Sequence, residues 1–521
     1  MLDPFSIVLL GAEGVLIGPM LAGSVLYSQQ KYDRAARAFE FAARVQPLPG
    51  LRATCYINLS ACHAEMAQPE LTLDACNQAE RTSRSRYVHA LAHINRAHAY
   101  LLLGKMDESQ KEAEKAIELS PHWRRGVRYA MVNYADAMGR MGRYPEALQT
   151  AREALQRGGA PDPAAAAAAR REIGMLLVMM GRAKEALQEM EQALQAGMQR
   201  PDHRGMIYQI MASAWVALGQ PDEASRALDE AERLGVPPVN RPVLAQARAR
   251  VCMLQGQVDH AIALLRAAED SCKTPLVRLV IAAYLAACLC EKREFAEAMT
   301  RAREVLDSGC QYRHIRAICF LVQAQALFWQ GEIHEACVAL ENARDYEGMS
   351  PILDAAIAVA HAHGSFESER YTDASDWARV AKRYLGSVDG NPELRRQAAI
   401  WLSRSLIREG RALEAQEEIQ AALEGPGLNH RDEAGLLHAM GEAQLAVGDP
   451  QAAAERFRAA VHADSDNPLA WMSLGQLLAR QGQINEGEAC LRAARAADPE
   501  GVISRDADLA LSELEAGRAA V

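Results

Sequence analysis

The chain has 521 residues, half of them hydrophobic but only 5% aromatic, and 57 basic against 67 acidic side chains give a formal net charge of −10. A surface of that sign repels a phosphate backbone, which excludes general nucleic-acid binding. Alanine supplies much of the apolar content and no stretch alternates like a strand, so the composition selects an all-α protein with closely spaced helices.

In chain order, residues 5–26 (FSIVLLGAEGVLIGPMLAGSVL) come first, with one charge, Glu13, and enough length to cross a bilayer. They read in two ways: as a cap packed on the first repeat, or as a membrane anchor at a cytoplasmic face. No basic region precedes them, which argues against a cleaved signal peptide. Gly14, Gly18 and Pro19 interrupt the run, and Gly23 already serves the repeat described next, which favours the cap. This divides the chain into an apolar segment at 1–15, a repeat array at 16–499 and a terminal segment at 500–521.

Through the array, a small residue recurs with a second twelve positions on and a third seven beyond that. The triplets begin Gly23/Ala35/Ala42, Ser60/Thr72/Ala79, Ala97/Ser109/Ala116 and Ala135/Ala147/Ala154, and close with Gly441/Ala453/Ala460 and Gly475/Gly487/Ala494. There are about thirteen, the sequence signature of a helical-repeat array. Only small side chains fit where two antiparallel helices cross, so each triplet predicts one helix-turn-helix unit. Larger residues open the second helix (Tyr32, Met106, Tyr144, Phe295), and others sit four positions beyond the second small residue (Phe39, Met190, Leu228, Phe457). Glycine marks the turn in most units: Gly104, Gly142, Gly181, Gly219, Gly256, Gly331, Gly410, Gly448 and Gly482. Gly158-Gly159-Ala160-Pro161 and Gly425-Pro426-Gly427 predict soft joints, and Val502–Ala520 a C-terminal capping helix with Leu509, Leu511 and Leu514.

From Trp471 through Leu474, Gly475, Leu478, Gly482, Gly487 and Ala494 to Pro499 the chain resembles the tetratricopeptide-repeat superfamily. The resemblance covers roughly residues 16–499 and implies a right-handed α-solenoid of about thirteen such repeats. The spacing departs from it: Ala42, Ala79, Ala116 and Ala154 stand 37 or 38 residues apart, against a family norm of about 34.

In this family the first helix of each repeat lines a concave groove that holds extended peptides. Asn58, Asn95 and Asn133 lie two positions before the first small residue of successive repeats and should form a row there. Their amides offer both donor and acceptor to a peptide backbone. The row is similar to the asparagine ladder of the O-linked glycosyltransferases, although Glu172 and Ile210 take the next two rungs. Arg128 and Arg171, with Arg84, Arg86, Arg124 and Arg125 nearby, supply positive charge suited to a partner's carboxylates. The family's lysine/asparagine carboxylate clamp is not reproduced, since Met20, Ser24, Ile57 and Ala61 hold those positions.

His89 and His93 share a helix face without a third ligand, while His361/His363 and Cys288/Cys290 are two apart and diverge, so neither a metal nor a cofactor is expected. No Walker loop, nucleophile elbow or dinucleotide fingerprint appears, and no catalytic residue is expected. Eleven scattered cysteines without a C-x-x-C pair suit a reducing compartment. The reading is therefore a bacterial-type cytoplasmic adaptor, an interaction scaffold for a protein or peptide whose open ends also permit self-association. The alternative is a membrane-tethered assembly factor for an envelope or secretion complex.

Overall fold

The computed structural model describes residues 14–119, 124–157, 163–195, 201–425, 428–499 and 501–519. Among them are thirteen antiparallel helix pairs and one further helix, Val502–Ala519, in an all-α helical-repeat solenoid. First helices are typically 17 residues long, as in Pro49–Glu65, Arg86–Leu102 and Pro275–Glu291. Second helices run to about 14, as in Pro69–Thr82 and Met106–Leu119. Second helices start where the bulky residues mark them: Tyr32, Met106, Tyr144, Phe295, Ile333, Tyr371 and Ile484.

The crossings are as tight as the triplets require. A Cβ added at Gly23 would stand 2.8 Å from the Phe39 ring, at Gly174 2.5 Å from Met190 Cε, and at Gly441 2.5 Å from the Phe457 ring. Where the first position loses its side chain, the residue four beyond the second position grows to fill the space, so volume is conserved across the crossing. Gly475 and Gly487 bring the backbones themselves together, with a Cβ on either meeting the other's carbonyl oxygen at under 3 Å.

All nine predicted turn glycines adopt positive φ, from 72° at Gly219 to 94° at Gly448. The four repeats without one force the same left-handed backbone on Gln30, Ala67, Arg293 and Glu369, at φ from 58° to 67°. The turn geometry is thus dictated by the helix pair, and side chains that disfavour it are carried along at a cost of about 1–2 kcal/mol each.

First helices of successive repeats touch one another while second helices make little or no contact, which places the first helices on the inside of the curve. The array then winds back onto itself. The turn side of one repeat meets the linker side of another 170 to 205 residues further on, about five repeats. Tyr32 Oη donates to Asp202 at 2.6 Å, Gln311 Oε1 accepts from the Met106 N–H at 2.7 Å, and Asp389 Oδ2 accepts from the Lys184 N–H at 3.1 Å. The Asp389 N–H donates to Gly181 O and the Asn391 N–H to Ala217 O, each at 2.7 Å. Further along, Arg293 pairs with fully buried Asp498 at 2.8 Å and Arg505 donates to Gln330 O at 2.6 Å. Successive turns of the superhelix therefore touch each other along this seam.

The final helix packs Ala507 and Leu511 on Met472, Leu491 and Ala494 and leaves Leu509 63% exposed. At the other end Gly14–Ser28 is the first helix of repeat one, with Met20 buried against Ala42 and Ala43. Among the described residues no helix is long and apolar enough to cross a membrane. Residues 1–13 of the cap or anchor segment, the proposed joint at 158–161, and residues 426–427 of the second joint lie outside the described residues.

Candidate functional site

Asn95 and Asn133 each spend their amide donor within the solenoid, on the preceding repeat. Asn95 donates from Nδ2 to Ser60 Oγ at 2.7 Å and to Ile57 O at 3.4 Å, and Asn133 from Nδ2 to Ile94 O at 2.9 Å. Each amide thereby ties its own first helix to the carbonyl three positions before the previous small residue. Among the described residues no hydrogen bond reaches Oδ1 of either. Asn58 is buried within the second repeat, 8% exposed.

Arg128 is 5% exposed, and its Nε has no hydrogen-bond partner among the described residues. Arg171 sends Nη1 to Met206 Sδ at 3.5 Å, a weak acceptor. Arg84 and Arg86 stand exposed at the start of repeat three, while the side chains of Arg124 and Arg125 lie outside those described.

A charged group centred on Arg140 occupies the same stretch, which sequence reasoning passed over. Arg140 bonds Asp136 through Nε at 2.5 Å and Nη2 at 3.2 Å, and its guanidinium lies 5.5 Å from the Tyr312 ring centroid, a contact from the next turn. Burial works against the charge on Arg140, but Asp136 outweighs it and holds the guanidinium protonated. Burial and the Asp136 carboxylate push Glu172 well above the usual carboxylate range. Burial drives His98 down to about 4, so it is neutral near pH 7. The available signal was the one-repeat offset: His98 and Asp136 follow the first small residues Ala97 and Ala135 directly, on the inner face.

The equivalent positions in later repeats carry a second group. His363 stacks on Trp401 with centroids 4.1 Å apart and meets the Phe328 ring at a tilt, with centroids 4.8 Å apart. Arg404 lies 4.6 Å from the Phe366 centroid and donates to Glu442 at 3.1 Å. Arg396, 3% exposed, pairs with Asp432 at 2.5 Å one repeat on. These side chains satisfy one another and stiffen the wall.

The histidine and cysteine pairs have other occupations. His89 Nε2 lies 2.8 Å from Ser83 O and His93 Nδ1 2.7 Å from Glu112. Burial raises the thiols of Cys288, to about 12, and Cys290. No group of three or more His, Cys, Asp or Glu among the described residues is arranged to hold a metal ion.

Sequence models of the tetratricopeptide repeat match residues 90–122, 135–201 and 438–502. Similar solved structures include the Cut9–Hcn1 hetero-tetramer of APC/C, at 13% identity over 98% of this chain and 99% of that one, TM-score 0.47. A Rap protein complexed with competence and sporulation factor is 14% identical over 67% of this chain and 99% of that one, TM-score 0.49. Yeast Tom70 is 13% identical over 96% of both chains, TM-score 0.32. No curated protein matches by sequence.

Proposed function

We propose that this chain, a member of the tetratricopeptide-repeat superfamily, is a non-catalytic cytoplasmic scaffold that holds a partner peptide or helix along its inner wall. The observation that carries the reading is hydrogen-bonding capacity left over in series. The Oδ1 atoms of Asn95 and Asn133, the buried guanidinium of Arg128 and the weakly engaged one of Arg171 belong to three successive first helices. A main chain lying across them supplies N–H donors to the amides, and a partner carboxylate suits the arginines. Asn58 extends the row by one repeat. Free thiols at all eleven cysteines, nine of them buried, support a reducing compartment.

The test places a photo-crosslinking residue on the full chain at Met175, on the inner first helix of repeat five, or at Glu191, exposed on the second helix. Partners recovered from Met175 and not from Glu191 support the reading. Partners recovered from Glu191 alone reject it and move binding to the outer face.

A further inference from the structure

A cavity of about 280 Å³ lies where two turns of the superhelix meet. One side comes from repeats seven and eight, through Gln246, Arg250 and Met253 of Arg241–Leu254 and Tyr284 and Cys288 of Pro275–Glu291. The other side comes from repeat eleven, through Asn391 and Glu393 at the start of Pro392–Arg408. Its volume suits a molecule of ten or so heavy atoms, since a water molecule takes about 30 Å³ of liquid.

The polar groups facing this space are under-used. Arg250 has its guanidinium 6.0 Å from the Tyr284 ring centroid and makes no ion pair among the described residues. Glu393 makes no ion pair among them either, and accepts only a long bond from Gln397 at 3.5 Å. Gln246 is 8% exposed, and among the described residues its amide has no hydrogen bond. That amide lines the cavity and is open to a ligand there. Neighbouring Glu291 differs, being held by Arg431 at 3.0 Å and Gln325 at 3.4 Å. Between the charged ends the walls are apolar, with Met253 and Leu265 among them.

We propose that this cavity binds a small zwitterion, a free α-amino acid with an apolar side chain. Its carboxylate lies against Arg250 and Gln246, its ammonium against Glu393, and its side chain against Met253 and Leu265. A cation and an anion that face one cavity without pairing suit a ligand carrying both charges close together. Glu393 stands exposed at the mouth of the cavity, where an ammonium can reach its carboxylate from solvent. Such a ligand touches both turns beside the Asn391 N–H bond to Ala217 O, so its binding holds that seam shut. This site is separate from the peptide-holding wall, and either can fail without the other.

The experiment titrates the full chain with L-leucine and L-methionine by calorimetry and follows thermal unfolding. N-acetyl-L-leucine, which lacks the ammonium, and L-leucinamide, which lacks the carboxylate, serve as probes. The expected result is saturable binding of the free amino acids and at least roughly tenfold weaker binding of each masked form, the loss typical of one charged contact. Arg250→Gln should erase the preference for leucine over leucinamide, and Glu393→Gln the preference for leucine over N-acetyl-leucine. Equal binding of leucine and either masked form overturns the zwitterion. Neither heat nor a melting shift with either amino acid at about 10 mM overturns the site.

Discussion

Gly219→Ala and Gly256→Ala form a matched pair that isolates the seam between superhelical turns. Both glycines hold left-handed turn positions, at φ 72° and 75°. A Cβ at Gly256 meets nothing within 4 Å, whereas at Gly219 it would stand 2.4 Å from Pro392 Cγ and 3.0 Å from Cδ. The shared left-handed strain costs about 1 kcal/mol after allowing for the alanine's smaller unfolded-state entropy. Gly219→Ala adds overpacking of about 1–3 kcal/mol, because a proline ring cannot rotate away. That strain relaxes by separating the turns, which breaks the 2.7 Å bond from the Asn391 N–H to Ala217 O. Opening of the seam should then be easier by about 2 kcal/mol, a roughly 30-fold loss of amide protection. Hydrogen exchange read on peptides spanning residues 386–394 should show that loss in Gly219→Ala and little change in Gly256→Ala. Equal exchange in both variants would mean the turns do not touch in solution, and the seam between them would have to be abandoned.

Three further outcomes follow from particular contacts. Glu369→Gly should stabilise the tenth repeat by about 0.5–1 kcal/mol, since the glutamate sits at φ 58° on an exposed turn; a lower urea midpoint would contradict this. Asn133→Ala removes the amide tie to Ile94 O and should cost about 1 kcal/mol, seen as faster exchange in repeats three and four, whereas unchanged exchange would leave the tie without weight. Burial lowers His98 and His314 to about 4, so as pH falls below 6.5 the unfolded chain takes up protons first. Stability should be complete above about pH 6.5 and fall by up to about 3 kcal/mol per histidine towards pH 4. His98→Asn should flatten that loss, and a variant with an unchanged pH profile would remove His98 from the account.

The repeat was legible because its cause is local. A crossing that excludes even one methyl writes itself at fixed offsets, and Gly23 opposite Phe39 or Gly441 opposite Phe457 recur at the same sixteen-residue spacing. The turns were equally legible where glycine marks them. Gln30, Ala67, Arg293 and Glu369 were not, because there the helix pair overrides residue preference. For the asparagines, regular spacing marks equivalent positions, but where a donor points depends on the neighbouring helix, and the carbonyls of Ile57 and Ile94 take the amides of Asn95 and Asn133.

The seam between turns was hidden for a different reason. Its contacts join residues such as Gln311 and Met106, 205 apart, through single side chains with no repeated pattern. What sets them is the small rotation from one repeat to the next, accumulated over about five units, and no local property encodes that sum. Glycine links the two levels. At Gly142, Gly181 and Gly219 the missing side chain serves the turn and also admits Met349, Val388 and Pro392 from the following turn, each within 2.6 Å of where a Cβ would sit. A residue kept for its backbone freedom therefore also sets how closely the superhelix winds. That dual demand separates these three positions from Gly256, Gly410, Gly448 and Gly482, where the same backbone faces open space. Alanine at the first three should loosen the seam between turns as well as strain the turn, while at the last four it should strain the turn alone.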